Sequence, residues 1–306
     1  MTVDHKRAES LASSERAASW PWLRAMRPRQ WTKNAVVFAA LVFDLKLGEP
    51  DYVAKVVGAF ILFCLVSSAI YLLNDLRDAE SDRAHPTKRF RPVASGQLAA
   101  SSAWIGVAAL AVVSILGGAL LSVKLAAVLT AYLLLMVAYT YVLKHLVILD
   151  VFAISGGFVL RAAAGAVVID VPISPWLYVC TVLLSLFIGF GKRRHELLLL
   201  EGSAGAHRRN LDDYSAQLLD QFIVISAAAT VMAYSLYTFA ATNLPANQSM
   251  MITIPFVVYA IFRYLFLVHR REGGGSPEQM LLGDLPLLSG IALWGVVSVI
   301  ILYAPG

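Results

Sequence analysis

The sequence predicts an all-α integral membrane protein with about nine transmembrane helices, and three observations carry that prediction. Of 306 residues, 58% are hydrophobic and 15% charged, with a mean hydropathy of +0.69, which is more apolar side chain than a soluble core of this size buries. Apolar runs approaching the roughly 20 residues a bilayer crossing needs recur at 34–49, 54–73, 100–121, 123–143, 146–168, 173–191, 218–241, 250–268 and 285–303. Lys and Arg crowd every second connection between these runs and almost vanish from 45–53, 122–124, 169–172 and 242–249.

Residues 1–19 are polar throughout and lack the apolar centre of a secretory signal, so they read as a disordered cytoplasmic tail ahead of one membrane domain over 20–306. The tryptophans and arginines of WPWLRAMRPRQW, 20–31, predict an amphipathic helix in the membrane interface, which either guides a lipid-linked substrate or only anchors the chain. Asp44 and Lys46 shorten the first apolar run, which leaves eight spans and an interfacial helix as the alternative to nine. Basic residues set the orientation. Arg24, Arg27, Arg29 and Lys33 precede the first run, and Arg77, Arg83, Lys88, Arg89 and Arg91 follow the second. Lys144 follows the fourth, Lys192, Arg193, Arg194, Arg208 and Arg209 the sixth, and Arg270 and Arg271 the eighth. The N-terminus and these connections are expected in the cytoplasm and the C-terminus outside. Cys64 and Cys180 lie within apolar runs, so neither a disulfide nor a zinc site is expected.

Two of the cytoplasmic loops are enlarged, 74–99 and 192–217. Four spans separate them, so both open on one face over a shared cavity. The first begins NDLRDAESD. If the second span continues past the membrane edge, Asp75, Asp78 and Asp82 share a helix face, with Asn74 beside them. Asp75 and Asp82 are then about 10 Å apart along the axis, which suits one or two Mg²⁺ ions bridged by a diphosphate better than a single chelated ion. Lys88, Arg89 and Arg91 just downstream offer donors for the remaining phosphate oxygens. A merely solvated helix end is the plainer reading. Three carboxylates packed on one face weigh against it, because they repel one another unless a cation joins them.

At these residues the chain resembles the UbiA superfamily of intramembrane prenyltransferases. That family's first signature, NDxxDxxxD, is met by Asn74, Asp75, Asp78 and Asp82, its YSxxLK motif nearly so by YTYVLK, Tyr139 to Lys144, and its RPxxSG loop by RPVASG, Arg91 to Gly96. The resemblance covers essentially the whole chain and implies a nine-span bundle with a cytoplasm-facing cavity, in which Mg²⁺ on the first motif holds a diphosphate. The family's second, DxxxD-like motif is missing. In its place stands GKRRHELLLLEGSAGAHRRNLDDYSAQLLDQF, where Glu196, Asp212, Asp213 and Asp220 do not fit the spacing. Together with RPRQWTKN at 27–34 and GFVLRAAAG at 157–165, this variant resembles the branch that attaches phosphoribose to a polyprenyl (decaprenyl) phosphate for bacterial cell-wall arabinan. Phosphoribosyl diphosphate is then the implied donor, Mg²⁺ the implied cofactor and the bacterial inner membrane the implied location.

On that reading the donor's 5-phosphate and diphosphate fall to Lys88, Arg89, Arg91, Lys192, Arg193 and Arg194, with Lys33 and Lys144 as further phosphate contacts and Glu196 among them. Tyr139 either orients a substrate oxygen or is an interfacial aromatic. Asp212, Asp213 and Tyr214 meet ribose hydroxyls, unless the two aspartates only cap the helix that follows. A phosphate monoester is already ionised near neutral pH, so positioning and stabilisation of the departing diphosphate matter more than a base. Asp150 and Arg161, about three turns apart on one face of the fifth span, are predicted to face the bundle interior. Arg161 is expected to hydrogen-bond between helices, and Asp150, nearer the cavity, is left open. HRREGGGSPEQ, 269–279, reads as a polar spacer, since no strand or Walker spacing accompanies its glycines. Membrane lipids are expected partners, nucleic acid is not, and a homo-oligomer is left open. An aromatic prenyltransferase is the alternative. A secondary anion transporter fits less well, because the charges gather at one face and not at the midplane.

Overall fold

The computed structural model describes residues 21–303 apart from 86, 202–212, 242–243, 246 and 271–276, and among these it is helical without a strand. Eight segments are long and apolar enough to cross a membrane. They are α3 (Pro50–Arg77), α5 (Ala100–Leu121), α6 (Val123–Tyr141), α7 (Leu149–Val168), α8 (Pro175–Glu201), α9 (Ala216–Ala240), Ser249–Arg270 with α10 (Ile254–Arg270) as its α-helical part, and α12 (Leu285–Tyr303). Short helices α1 (Pro21–Met26), α2 (Ala39–Phe43), α4 (Ala79–Ala84) and α11 (Pro277–Gly283) complete the set.

The expected single interfacial helix over 20–31 is broken in two. Pro28 bars the residue before it from right-handed helix, and Arg27 takes φ 53, ψ 63. α1 therefore stops at Met26. Its Trp22 ring lies on Gly106 of α5, where an added Cβ would collide with it.

From Pro28 to Phe38 the chain is a 3-10 helix that runs into α2. Eleven residues rising about 2.0 Å each and five rising about 1.5 Å extend roughly 30 Å. Residues 28–43 thus form a thin segment of nearly bilayer length that takes in only the first part of the apolar run at 34–49, and among the described residues that run is not a ninth α-helical span of the usual kind. It seats on α7 where Gly165 has no side chain; a Cβ there would fall 2.9 Å from the Val37 carbonyl carbon and closer still to its oxygen.

α3 and α7 are the most buried spans. α3 packs against α5, α6 and the 3-10 segment, and α7 against α6, α8 and that same segment. One core, including Val37, Leu41, Phe63, Leu129 and Ala164, joins these elements; a second, with Phe187, Ile223, Tyr264 and Leu287, joins α8, α9, α10 and α12. α8 continues past its predicted end at 191 as far as Glu201, so the basic run after the sixth span lies on a helix and not in a loop.

Candidate active site

The C-terminal ends of α3, α6, α8 and α10 meet the N-terminal ends of α7 and α9 at one end of the bundle, where ion pairs tie them together. α3 ends at Arg77, Asp78 caps it with φ −97, ψ 6, and α4 resumes at Ala79. Helical hydrogen bonding runs through the bend, from Asp78 N–H to Asn74 O at 2.9 Å and from Asp82 N–H to Asp78 O at 2.8 Å. The side chains converge more than helix rise implies. Arg91 Nη1 donates to Asp82 Oδ2 at 2.6 Å and lies 3.3 Å from Asp75 Oδ1, so those two oxygens are within about 6 Å of each other, the summed length of the two contacts. The axial separation of about 10 Å therefore overstates the distance between the carboxylates.

Three cations neutralise this acidic wall. Arg27 pairs with Asp75 Oδ1 and stacks over Tyr71, 5.1 Å from the ring centroid. Arg91 bridges Asp75 and Asp82, and Lys144 donates to Asp78 Oδ1 at 2.9 Å. Thr140 Oγ1 lies 2.8 Å from both Asn74 Oδ1 and Met136 O. Asp75 is buried, and its Oδ2 has no hydrogen-bond partner among the described residues. Those residues include no group of three His, Cys, Asp or Glu side chains close enough to cage a metal. One amide, three carboxylates and an unused buried carboxylate oxygen nevertheless suit a hard cation that completes its shell with water and phosphate oxygens.

The YTYVLK segment joins this wall to α8. Tyr139 accepts from Arg193 Nη2 at 3.3 Å, while Thr140 and Lys144 reach Asn74 and Asp78. Successive helix residues project about 100° apart, so Lys192, Arg193 and Arg194 cannot form one basic wall. Arg193 turns inward and is 1% exposed. Its Nε donates to Asp150 Oδ2 at 2.6 Å and its Nη1 to Glu196 Oε2. Arg194 turns to Asp220 at 2.5 Å, which also faces His269, and Lys192 lies 3.9 Å from Glu196.

Asp150, fully buried, accepts from Val151 N–H at 2.8 Å and from the Tyr214 hydroxyl at 3.3 Å on its other oxygen. The Tyr214 oxygen accepts from Ile148 N–H at 2.6 Å. Burial, with the Asp150 carboxylate alongside, pushes the Tyr214 phenol up to about 12. Ile148 itself takes φ 68, ψ −48, and Leu149 N–H reaches back to Val147 O at 2.7 Å, a γ-turn of the strained hand. Tyr214 pins that turn directly ahead of Asp150.

Several sequence-based expectations change accordingly. Arg193 pairs with Asp150 and Glu196, Tyr214 bonds Asp150 and Ile148, and Arg193 and Tyr214 are enclosed where a phosphate or ribose contact was expected. Ser215, not Asp213, caps α9, its Oγ accepting from Leu218 N–H at 3.1 Å; Asp213 is exposed, and Asp212 lies outside the described residues. Lys88 and Arg89 are exposed on a 3-10 turn, Arg89 over the Phe90 ring. Beside that turn, His85 Nδ1 accepts from Thr87 N–H at 3.2 Å and Lys88 N–H at 3.3 Å. Burial and the nearby Lys88 charge hold that imidazole below its ordinary range. Lys33 is half-buried on the 3-10 segment, within electrostatic range of Tyr132. Arg161 does bridge helices, as its buried position implied.

Two site residues escaped the sequence reading, Arg27 and Thr140. The only signal for Arg27 was its place at the head of RPRQWTKN, whose fold back onto Asp75 no local pattern reveals. A recess of about 340 Å³ lined by Arg24, Thr87, Phe90, Arg91 and Pro92 opens beside the acidic wall. Arg24 holds its rim, donating to Phe90 O and Gln97 Oε1 at 3.0 Å each.

The profile of the UbiA prenyltransferase family matches residues 35–285. The chain is 39% identical over 289 residues to the decaprenyl-phosphate phosphoribosyltransferase of Mycolicibacterium smegmatis, covering 89% of each chain. It is 35% identical over 294 residues to the protein of that name from Corynebacterium glutamicum, covering 92% of this chain and 86% of the other. Among solved structures it is similar to a UbiA homolog from Archaeoglobus fulgidus bound to DMAPP and Mg²⁺, with a TM-score of 0.70 at 16% identity over 94% of this chain and 100% of that one. The same homolog bound to GPP and Mg²⁺ gives 0.70 at 17% identity over 92% and 99%.

Proposed function

Because the chain belongs to the UbiA prenyltransferase family, we propose that it is the variant that transfers a 5-phosphoribosyl group from phosphoribosyl diphosphate to a polyprenyl phosphate of the decaprenyl class, releasing diphosphate. One observation carries this reading: among the described residues there is a single acidic wall. On α8 and α9 the carboxylates Glu196 and Asp220 are engaged by Arg193 and Arg194, so among the described residues no second acidic motif faces the first. A prenyl diphosphate held between two such motifs finds only half its site here. The relatives at 35–39% identity carry the name of the phosphoribosyl activity.

Asn74, Asp75, Asp78 and Asp82 are the residues that would hold Mg²⁺. When bound, the ion supplies positive charge to the oxygens of the departing diphosphate. Arg27, Arg91 and Lys144, already at the wall, meet the remaining diphosphate oxygens, and the recess beside Arg91 and Arg24 receives the 5-phosphate. Lys88, Arg89 and Lys192 raise the positive potential at the mouth, which draws in an anionic donor. As the ribose C1–O bond to diphosphate breaks, an oxygen of the lipid phosphate bonds to C1. That oxygen already carries charge, so no residue has to remove a proton, and orientation supplies much of the rate. By the positive-inside rule the site faces the cytoplasm, and the bacterial relatives that carry the phosphoribosyl activity's name support an inner-membrane location.

The test uses purified protein, Mg²⁺, phosphoribosyl diphosphate labelled in the ribose, and decaprenyl phosphate, followed by organic extraction. Label should enter the organic phase. Asp75→Asn and Asp78→Asn should each lower that transfer by about a hundredfold or more while the protein stays inserted and monodisperse. Label that stays aqueous, while a prenyl diphosphate reacts with an aromatic acid, would identify an aromatic prenyltransferase instead.

A further inference from the structure

Of the seven buried charged side chains among the described residues, six sit in ion pairs with an opposite charge. Arg161 is the exception. At 5% exposed, it is held only by neutral groups: Nε donates to Asn34 Oδ1 at 2.7 Å, Nη1 to Gly157 O at 2.8 Å and Nη2 to the Tyr132 hydroxyl at 2.9 Å. The faces of Tyr132, Phe158 and Phe63 surround it at 4.8, 5.2 and 5.9 Å. Those contacts use three of the five guanidinium N–H donors. A permanent cation enclosed in an apolar bundle without a counter-charge is an arrangement that a purely structural hydrogen bond does not require, since glutamine or histidine could bridge the same helices without the desolvation cost.

Its depth gives the arrangement a use. Asn34, which holds Arg161, also donates to Ser67 Oγ at 3.3 Å, and Ser67 lies eight residues before Asp75 on α3. That is about 12 Å of helix rise below the acidic wall. A diphosphate at the wall, followed inward by the ribose C1 and then by the attacking group, puts an acceptor anion near this level. Lys33, the residue before Asn34, lies within electrostatic range of the same Tyr132 and adds a second positive charge nearby.

We infer that Arg161, with Lys33, is the seat of the acceptor's phosphate: the lipid phosphomonoester supplies the counter-charge that the folded chain lacks. This rests on the proposed transfer to a polyprenyl phosphate. It places the acceptor site on the 3-10 segment and α7.

Asn34→Asp is the discriminating variant, because it places a carboxylate where Arg161 Nε already donates. The expected results are a raised melting temperature, an acceptor KM raised by about tenfold or more, and a KM for phosphoribosyl diphosphate changed by no more than about twofold. A second readout needs no turnover. Farnesyl phosphate should raise the melting temperature of the unmodified protein, farnesol should not, and the farnesyl phosphate shift should vanish in Asn34→Asp and in Arg161→Lys. An unchanged acceptor KM and an intact farnesyl phosphate shift in Asn34→Asp would overturn the assignment, leaving Arg161 a structural bridge. Should Asn34→Asp not fold, Lys33→Gln and Arg161→Lys are read by the same criteria. Failure of the unmodified protein to transfer label is a different result and sinks the proposed reaction, whereas the binding shifts still decide whether an anion seats on Arg161.

Discussion

Replacing Arg193 by methionine tests whether α8 offers this arginine to substrate or spends it inside the fold. Arg193 is 1% and Asp150 0% exposed, and the pair is closed at 2.6 Å. Removing one partner of such a pair costs about 3–5 kcal/mol, because the other charge is left in a low-dielectric interior. Asp150 keeps two donors in Arg193→Met, the Val151 amide and the Tyr214 hydroxyl, so the cost should fall near the lower end. Asp150→Asn leaves Arg193 with Glu196 but turns one carboxylate oxygen into an NH₂ that faces only donors, an unmet group worth about 1–3 kcal/mol. Purified in detergent, Arg193→Met should therefore melt roughly 5–10 °C below the unmodified protein. The double variant should recover about 2 kcal/mol relative to the sum of the singles, since the two sites share one interaction. A melting temperature within about 2 °C of the parent, with additive singles and a raised KM for phosphoribosyl diphosphate, would refute the reasoning and return Arg193 to the substrate.

Two further perturbations address the front of the site. Gly165→Ala should force the 3-10 segment off α7, because its Cβ would fall 2.9 Å from the Val37 carbonyl carbon. We expect a loss of at least about 2 kcal/mol in thermal unfolding together with lost transfer, and an unaltered melting point would mean the segment is not seated there. Arg27→Met should lower stability without Mg²⁺ by about 1–2 kcal/mol, a discounted value because Arg27 is 27% exposed and Arg91 still reaches Asp75. The same variant should lower the Mg²⁺ concentration needed for half-maximal thermal stabilisation, since a competitor for Asp75 is gone; a higher requirement would show that Arg27 assists the ion.

The spans were legible because a bilayer demands long apolar runs, and 100–121 and 285–303 match α5 and α12 residue for residue. Asn74, Asp75, Asp78 and Asp82 were legible because i, i+3, i+4 spacing needs only local helix to bring them together, and the helical hydrogen bonds do run through Asp78. The arrangement of the basic run 192–194 was not legible, for a converse reason. Apolar character ends near 191, but α8 does not, and a helix distributes consecutive residues around its circumference instead of along one wall. Arg193 then faces Asp150, 43 positions away, a partnership that no periodicity encodes. Arg27 and the 3-10 segment were hidden in the same way. Pro28 marks a break, but only the tertiary contacts of Val37 with Gly165 and of Asn34 with Arg161 fix where the chain goes after it.

The charges of the site explain why a wall of three aspartates persists in the folded chain. Asp75, Asp78 and Asp82 carry three negative charges, and Arg27, Arg91 and Lys144 carry three positive ones, so the cluster is close to neutral as it stands. A diphosphate ester with one Mg²⁺ is still anionic. On the proposed reaction its arrival would not require the cations to leave: Arg27, Arg91 and Lys144 would turn from carboxylate to phosphate oxygens at short range, and Asp75, Asp78 and Asp82 would hold the metal in their place. Each charge keeps a partner throughout, which limits the desolvation cost of both states. Arg161 has no such local exchange available, and a phosphate arriving with the acceptor would complete its pairing as it completes the substrate set. On these proposals donor and acceptor would be recognised by opposite devices: the donor by a neutral cluster that rearranges, the acceptor by a cation held without a counter-charge.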